Sequence, residues 1–245
     1  MLHGILGSGG NWRGIARKLV ERRPDWGVML VDLRHHGHSE PGEPPNTLAT
    51  SAEDVRALVD ELGNVDAIGG HSFGGKVALA TRALHPFRQT WMFDSSPGAR
   101  PDRNADSTVA QLLALMERLP KTWAKRDEFV AAVVAAGHPK PLAQWLAMNI
   151  VADNGGYVLR LDLAAIRELV ADYLARDLWP TALDPASGEL ELVIATRSDV
   201  VNDAERADGA SHIHVSRIVA GHWLHIDAPD AVISLLAERL PAGDS

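Results

Sequence analysis

Short apolar runs alternate with amphipathic segments along the first hundred residues of the chain. Three largely apolar runs predict strands buried within a sheet, and they lie at residues 26–33, 65–70 and 90–93. Three segments with apolar residues at helical spacing predict helices, and they lie at residues 11–23, 51–62 and 73–84. We expect the second helix to begin at an N-cap Ser51, with Asp54 completing a capping box. Strands that alternate with helices in this way predict an α/β fold with a parallel sheet.

The pattern changes beyond residue 107 and later returns. Residues 108–173 have helical spacing and carry no strand signals, which predicts a helical insertion. The alternation then resumes with two strand-like runs and a final helix, at residues 190–196, 213–219 and 228–240. We therefore predict a core formed by residues 1–107 and 189–245. A helical cap, residues 108–188, is inserted into this core, and residues 184–188 form its return linker.

The composition narrows the class of protein. The chain has 245 residues, of which 46% are hydrophobic, so it can form one sizeable domain with a real core. A net charge of -8 argues against a nucleic-acid partner. The absence of cysteine excludes disulfides, a thiol nucleophile and a zinc–thiolate site. No apolar run has the length of a membrane span and no signal-peptide pattern opens the sequence, so we expect a soluble, cytoplasmic protein.

The sequence G-x-S-x-G at residues 70–74 lies between a predicted strand and a predicted helix. A nucleophile elbow needs this setting, because its sharp turn exposes the hydroxyl of the serine, here Ser72. The helix that begins at the turn directs free N–H groups and the positive end of its dipole towards developing negative charge. The alternative is a glycine-rich turn with no chemistry, since the motif alone is a weak signal.

A serine hydroxyl becomes a good nucleophile when a base removes its proton, and we expect that base to be a histidine oriented by a carboxylate. His222 follows the last predicted strand, where this arrangement has its base. Asp94 and Asp199 each follow an earlier strand at the same edge of the sheet. Either is a candidate for the acid, and each also fits the role of a turn-forming residue.

An oxyanion formed at Ser72 needs two backbone N–H donors. One is expected from Phe73, the residue after the nucleophile, and the other from Ile5 in the glycine-rich loop at residues 3–10. The alternative for this loop is a flexible N-terminus. A phosphate-binding loop is excluded because the segment has neither a G-x-G-x-x-G after a strand nor a Walker lysine.

Four blocks of sequence stand in a fixed order along the chain: HGILGS at 3–8 with Asn11 and Trp12, DLRHHGHS at 32–39, GHSFGGK at 70–76, and GHW at 221–223. Together they resemble the α/β-hydrolase superfamily over nearly the whole chain, and within it the small esterases of the abhydrolase-domain-11 type. The resemblance implies a mostly parallel sheet with helices on both faces and an inserted helical cap. It also favours Asp94 over Asp199 as the acid, with Ser198 reaching the histidine.

The chain departs from this family at its start. Family members have two leading strands and a third that runs into the His-Gly motif, whereas only Met1 and Leu2 precede His3 here. The third strand lies between the strands that correspond to residues 26–33 and 65–70, so its absence leaves a gap of unpaired backbone groups. We therefore expect these N-terminal strands to be missing and favour a truncated or mis-started form of a longer protein; the alternative is a sheet that closes differently.

Other histidines and tryptophans offer further candidates. His35, His36 and His38 form one cluster, and His212 and His214 another, but a metal site needs converging ligands, so no metal is expected. His36 is predicted to lie in a turn beneath the active site. The cap tryptophans are candidates for an acyl pocket, although core packing is favoured for all three: Trp123, Trp145 and Trp179.

We therefore predict a serine hydrolase that cleaves carboxylic esters or thioesters with an apolar acyl chain, and that needs no cofactor. The same triad also serves cofactor-free haloperoxidases, carbon–carbon bond hydrolases and acyltransferases. A dehalogenase or epoxide hydrolase is disfavoured because those enzymes use a carboxylate nucleophile where this chain has Ser72. A non-catalytic ligand-binding protein of the same fold is the alternative from another class.

Overall fold

The computed structural model describes residues 1–101 and 108–243. Within these residues the strands are Ala67–His71 (β1), Gln89–Phe93 (β2), Thr122–Trp123 (β3), Ile150–Asp153 (β4), Gly156–Leu159 (β5), Glu189–Ala195 (β6) and Ile213–Ile218 (β7). The helices are Arg13–Arg22 (α1), Leu48–Leu62 (α2), Phe73–Arg82 (α3), Thr108–Arg118 (α4), Arg126–Ala135 (α5), Lys140–Leu146 (α6), Leu163–Ala175 (α7), Trp179–Ala182 (α8), Leu224–Asp227 (α9) and Pro229–Arg239 (α10). None of these helices is both long enough and apolar enough to cross a membrane.

The central sheet has four parallel strands in the order β1–β2–β6–β7. Helices α1 and α10 pack on one face, against Trp91 and Phe93 of β2. The intervening Met92 points to the other face and packs with Leu79 of α3. A parallel sheet that is covered on both faces needs apolar residues on both, which is why its strands read as continuous apolar runs. The predicted α/β fold is confirmed.

The segment at residues 26–33 does not form the predicted strand. Its ladder pairing is an isolated bridge from Val31 to Leu2, and Leu2 in turn bridges to Gly70. A ladder needs several consecutive partners, and Met1 and Leu2 supply only two between this segment and β1. Beyond them, a cavity of about 750 Å³ separates residues 26–29 from residues 65–69.

The N-cap of helix α2 lies four residues earlier than predicted. This cap is Thr47, whose hydroxyl accepts a hydrogen bond from the Thr50 N–H at 3.2 Å. Ser51, the predicted cap, lies inside the helix and donates its hydroxyl proton to the Thr47 carbonyl. Asp54 does not complete a capping box. It accepts hydrogen bonds from the buried guanidinium of Arg34 at 2.7 and 2.9 Å.

Residues 108–173 are mostly helical, as predicted, but they also contain three short strands that the sequence pattern did not indicate. The strands β3, β5 and β4 form a small antiparallel sheet in that order. The sequence pattern did not indicate these strands because β4 and β5 are short and mostly lie near the surface, where the alternation of apolar and polar residues is weak. The buried residues of α4, α5 and α7 belong to the same hydrophobic cluster as those of α2. The predicted boundary at residue 107 lies outside the described residues.

Trp179 lies in the core and not in an acyl pocket. Its side chain has no exposed surface, packs among the buried residues of α3 and β2, and donates its indole N–H to Asp203 at 2.5 Å. Trp123 and Trp145 are only partly buried, and they pack against the hydrophobic cluster that the cap helices share with α2.

Replacing Trp179 by Ala removes the largest buried side chain at the junction between the cap and the sheet. We expect the free energy of unfolding to fall by about 3–5 kcal/mol, because a cavity remains and Asp203 loses its donor. Urea denaturation measures this change. Trp145→Ala is the matched control, and a loss in the control as large as that at Trp179 would contradict the assignment of Trp179 to the core.

Candidate active site

Ser72 lies at the turn between β1 and α3, where φ is 52°. A positive φ strains a residue with a side chain, and it persists only where the surroundings impose it. Here the backbones approach too closely for other residues. A Cβ on Gly70 would collide with the Gly74 backbone, and a Cβ on Gly74 would collide with the His3 carbonyl. The predicted elbow geometry is therefore present, with Ser72 at its apex.

Asp94 and His222 are brought together at the carboxyl ends of β2 and β7. The His222 Nδ1–H donates to Asp94 Oδ2 at 2.7 Å, and the Ala195 N–H donates to Asp94 Oδ1 at 3.1 Å. The Asp94 side chain is completely buried, whereas 33% of the His222 side chain is exposed. Both carboxylate oxygens are thus hydrogen-bonded, as a buried charge requires. Because Nδ1 makes the bond to Asp94, the other imidazole nitrogen of His222, Nε2, is not used by this pairing.

Asp199, the alternative acid, lies in the exposed loop after β6 and lines the same cavity as Ser72 and His222. Its backbone carbonyl accepts a hydrogen bond from the Arg100 guanidinium at 3.0 Å. Ser198 also lines this cavity, and its hydroxyl accepts the Val200 N–H at 3.3 Å. The carboxylate hydrogen-bonded to His222 is that of Asp94.

Ile5 and Phe73 lie beside Ser72 and line the cavity with it. Phe73 is the first residue of α3, so its N–H has no acceptor within the helix. Across residues 1–101 and 108–243, neither the Ile5 nor the Phe73 N–H has a backbone or side-chain acceptor. Two unpaired N–H donors line one cavity, and one of them lies at the positive end of α3, which is an environment suited to negative charge.

Two buried histidines hold the loop that carries Ile5. His36 Nε2 accepts the Leu6 N–H at 3.1 Å, and His3 Nε2 accepts the Leu33 N–H at 3.0 Å. Each ring therefore carries its proton on Nδ1, which faces a backbone carbonyl. Burial lowers the pKa of His3 to about 4 and that of His36 to about 3. Both rings are thus neutral supports for the loop, in agreement with the predicted position of His36 below the site.

His71, the variable residue of the elbow motif, fixes the loop that carries His222. Its Nε2–H donates to the His222 carbonyl at 2.8 Å, and the two ring centroids are 4.6 Å apart. His225 lies 4.7 Å from the His71 ring and stacks on Trp12. Burial, together with the neighbouring His222, lowers the pKa of His71 well below its ordinary value, and burial lowers that of His225 to about 4.

Ser72 and His222 open into a cavity of about 890 Å³ between the cap and the sheet. The cap contributes Val109 of α4 and Val170 and Tyr173 of α7. The amide of Asn149, also in the cap, donates to the Leu6 carbonyl at 2.8 Å. Because Leu6 follows Ile5, this bond ties the cap to the loop beside Ser72.

Several residues of the site were not predicted from the sequence. His71 occupies a motif position that accepts any residue, and Ser95 carries no motif of its own. The Ser95 hydroxyl donates to the Ser72 carbonyl at 2.7 Å. Tyr173 and Asn149 belong to a segment whose only signal was helical spacing, and spacing does not identify which polar residue faces a cavity. Their adjacency to Ser72 and Leu6 arises from tertiary folding.

Two of the histidines in the predicted clusters make their ring contacts away from Ser72 and His222. His35 Nε2 bonds to Asn46 at 2.6 Å, and His214 Nε2 bonds to Glu189 at 2.8 Å. In the part of the chain that the structure describes, no group of three or more histidine, aspartate or glutamate side chains converges as metal ligands would.

Comparison with known proteins decides the family. The model of the alpha/beta hydrolase family matches residues 1–235. The chain belongs to the alpha/beta hydrolase family. The resemblance expected from the four sequence blocks is thereby confirmed.

Relatives of this alpha/beta hydrolase match it over almost its full length. It is 29% identical to the mouse sn-1-specific diacylglycerol lipase ABHD11, with 96% of this chain and 80% of the relative covered. It is 26% identical to the esterase YbfF of Escherichia coli, with 98% of this chain and 91% of the relative covered. A solved marine microorganism esterase superimposes with a TM-score of 0.82 at 24% identity, covering 98% of this chain and 93% of the other.

The neutral buried histidines predict a loss of stability in acid. Unfolding exposes His3, His36, His71 and His225, which then take up protons below their ordinary pKa of 6.5. In the folded protein burial lowers the pKa of His3 and His225 to about 4, that of His36 to about 3 and that of His71 well below its ordinary value, so folding disfavours protonation of all four rings. We expect the free energy of unfolding to decrease as the pH falls from 6.5 to 4, by up to about 1.4 kcal/mol per pH unit for each histidine.

Urea denaturation at several pH values between 7.5 and 4.5 measures this slope. His225→Phe keeps an aromatic ring against Trp12 and removes a buried Nδ1 that has no partner. We expect it to lower the slope of unfolding free energy against pH by the equivalent of about one bound proton, about 1.4 kcal/mol per pH unit. The control is His214→Gln on the surface of β7. Equal slopes for the parent chain and His225→Phe would contradict the assignment.

Proposed function

We propose that this alpha/beta hydrolase is a serine hydrolase that cleaves carboxylic esters or thioesters through an acyl-enzyme. The observation that carries the proposal is the 2.7 Å bond between His222 and Asp94 at the edge of the cavity that Ser72 also lines. Such a pair orients an imidazole so that its other nitrogen can accept a serine proton. Hydrolysis of esters is also what the names of the esterase and lipase relatives indicate.

In the first half-reaction, Ser72 Oγ attacks the acyl carbonyl carbon while its proton passes to His222 Nε2. Asp94 holds the imidazole in the Nδ1–H form and stabilises the imidazolium that results. The carbonyl oxygen becomes an oxyanion that accepts the N–H groups of Ile5 and Phe73. The imidazolium then gives its proton to the leaving alcohol or thiol as the tetrahedral intermediate collapses, which leaves the acyl group on Ser72.

In the second half-reaction, water takes the place of the alcohol. His222 removes a proton from the water as it attacks the acyl carbon, and then returns that proton to Ser72 Oγ as the acid leaves. The same two N–H donors bind the second oxyanion. The enzyme is restored with one water consumed and one carboxylic acid released.

The cavity indicates the substrate class. Ile5 and Phe73 lie beside the nucleophile, and Val109, Val170 and Leu174 supply apolar surface from the cap side. A cavity of about 890 Å³ with this lining suits a small ester with an apolar acyl chain.

Ser72→Ala is expected to abolish both labelling by a fluorophosphonate probe and turnover of p-nitrophenyl butyrate, because the nucleophile is removed. Asp94→Asn is expected to lower kcat by about 10³–10⁴-fold, since an amide cannot stabilise the imidazolium or select the same tautomer. The absorbance of released p-nitrophenolate measures turnover and kcat, and detection of the bound probe measures labelling.

Asp199→Asn is the matched control, because Asp199 lines the same cavity and follows the neighbouring strand β6. We expect it to retain kcat within a few-fold of the parent chain. Loss of activity in Asp199→Asn with retention in Asp94→Asn would reverse the assignment of the acid. A folded parent chain that neither reacts with the probe nor turns over the ester would contradict the proposal that the protein is a serine hydrolase. It would favour a ligand-binding protein of the same fold.

A further inference from the structure

The peptide unit that joins Ser72 to Phe73 has two unlike ends. Its N–H belongs to Phe73, the first residue of α3, and has no acceptor within the helix. Its carbonyl oxygen belongs to Ser72 and accepts the N–H groups of Gly75 and Lys76 at 3.0 and 3.2 Å. The Ser95 hydroxyl also donates to this oxygen, at 2.7 Å, which is shorter than either backbone bond. One end of the peptide is thus fully hydrogen-bonded, while the other end is open.

Ser95 is packed against the elbow and reaches the peptide from the strand β2 side. It has no exposed surface. A Cβ on Gly75 would lie 2.6 Å from the Ser95 Cβ and 2.9 Å from its Oγ, so the glycine leaves the space that the serine side chain fills. The hydroxyl is therefore held at the Ser72 carbonyl by close packing as well as by its hydrogen bond.

Asp94 and Ser95 connect the base to the nucleophile. The backbone of Asp94 has a φ of 45°, in a region that residues with a side chain rarely adopt. The Asp94 carboxylate accepts the Nδ1–H of His222 at 2.7 Å, while the hydroxyl of the next residue bonds to the Ser72 carbonyl. Two consecutive residues after β2 thus hold the imidazole and the peptide of the nucleophile.

A hydrogen bond at one end of a peptide unit changes the other end. A donor at the carbonyl oxygen draws electron density towards that oxygen and makes the N–H of the same unit a stronger donor, by roughly 10–30% per bond. The bond also fixes the plane of the peptide, and with it the direction of the N–H. Through the Ser72 carbonyl, the Ser95 hydroxyl therefore acts on the N–H of Phe73.

We propose that Ser95 is a positioning residue of the oxyanion site, which orients and polarises the peptide between Ser72 and Phe73. The inference rests on the proposed serine hydrolase mechanism and deepens it, because that mechanism assigns no role to Ser95. The Ser95 hydroxyl transfers no proton and does not contact the substrate. An oxyanion develops only in the transition states and tetrahedral intermediates, so the contribution is expected in kcat and hardly in KM.

Ser95→Ala tests the proposal, because it removes the hydroxyl and keeps the Cβ beside Gly75. We expect kcat for p-nitrophenyl butyrate to fall about tenfold, less than the roughly 10²–10³-fold loss that removal of an oxyanion donor itself causes. KM is expected to stay within about twofold of the parent value.

Ser96→Ala is the matched control. Ser96 is the next residue, it is also buried, and its hydroxyl donates to Asp203 at 3.0 Å and not to the elbow. We expect this variant to lose stability without losing kcat. An equal fall in kcat in both variants would overturn the proposal and assign the effect to packing after β2.

A trifluoromethyl ketone with a short alkyl chain and a carbon-13 carbonyl reports on the oxyanion directly. Ser72 Oγ bonds to the carbonyl carbon, its proton passes to His222, and the former carbonyl oxygen of the hemiketal takes the position of the oxyanion. The carbon-13 chemical shift against pH gives the pKa of the hemiketal hydroxyl. We expect Ser95→Ala to raise this pKa by about one unit, the equivalent of a tenfold loss of anion stabilisation. An unchanged pKa would overturn the proposal.

The pH profile separates this role from support of the acid, since Ser95 follows Asp94 in the chain. A disturbed pair of Asp94 and His222 would move the acid limb of kcat/KM against pH, which reports protonation of the base. We expect the limb of Ser95→Ala to coincide with that of the parent chain while kcat is lower. A displaced limb that accounts for the whole loss would overturn the proposal.

Ser95→Cys is the second variant, because a thiol fills the space and is a weak donor. We expect its kcat and its hemiketal pKa to lie between those of the parent chain and Ser95→Ala, and it decides the question if Ser95→Ala does not fold. Parent values of both quantities in Ser95→Cys, with a labelled parent chain, would overturn this inference alone. A folded parent chain that the fluorophosphonate probe does not label would overturn it together with the proposed function.

Discussion

Close contact between three backbone segments at the elbow constrains the rest of the site. The end of β1, the first turn of α3 and the loop at His3 approach so closely that side chains at Gly70 and Gly74 would collide with backbone atoms. This contact accompanies the positive φ of Ser72, and Ile5 and Phe73 line the same cavity as that serine. The strain is sustained by the surrounding sheet, which is buried on both faces. Ser72 and the first turn of α3 are thus positioned by the main chain.

The groups around the elbow are stabilised mainly without charge. His3 and His36 accept backbone N–H groups as neutral rings, and His71 donates to the carbonyl of His222. Neutral supports avoid the desolvation cost of buried ions. Asp94 is the buried anion of the site, and two donors satisfy its carboxylate. The negative field at the site therefore comes from one buried carboxylate and acts on the partly exposed imidazole of His222.

The four strands of the sheet were predictable because their apolar runs follow from burial on both faces, and the order of Ser72 and His222 followed from the strand ends that carry them. Residues 26–33 show the limit, because an apolar run forms a strand only when a partner lies along it. Thr47 displaced Ser51 as the N-cap through one hydrogen bond that spacing does not encode. The choice between Asp94 and Asp199 was likewise open to motif reasoning, since both follow strands at the same edge. Tyr173 lines the cavity beside Ser72 only through the packing of the cap.

The amide of Asn149 bonds to the carbonyl of Leu6, so the cap and the loop carrying Ile5 share one hydrogen bond. A displacement of the cap that breaks this bond removes one contact of the loop, which His36 still holds through the Leu6 N–H. By linkage, a molecule that binds more tightly when this bond is made would stabilise the contact between cap and loop, and the contact would strengthen its binding by the same free energy. The position of the cap and the order of the loop beside Ser72 are therefore coupled through Asn149.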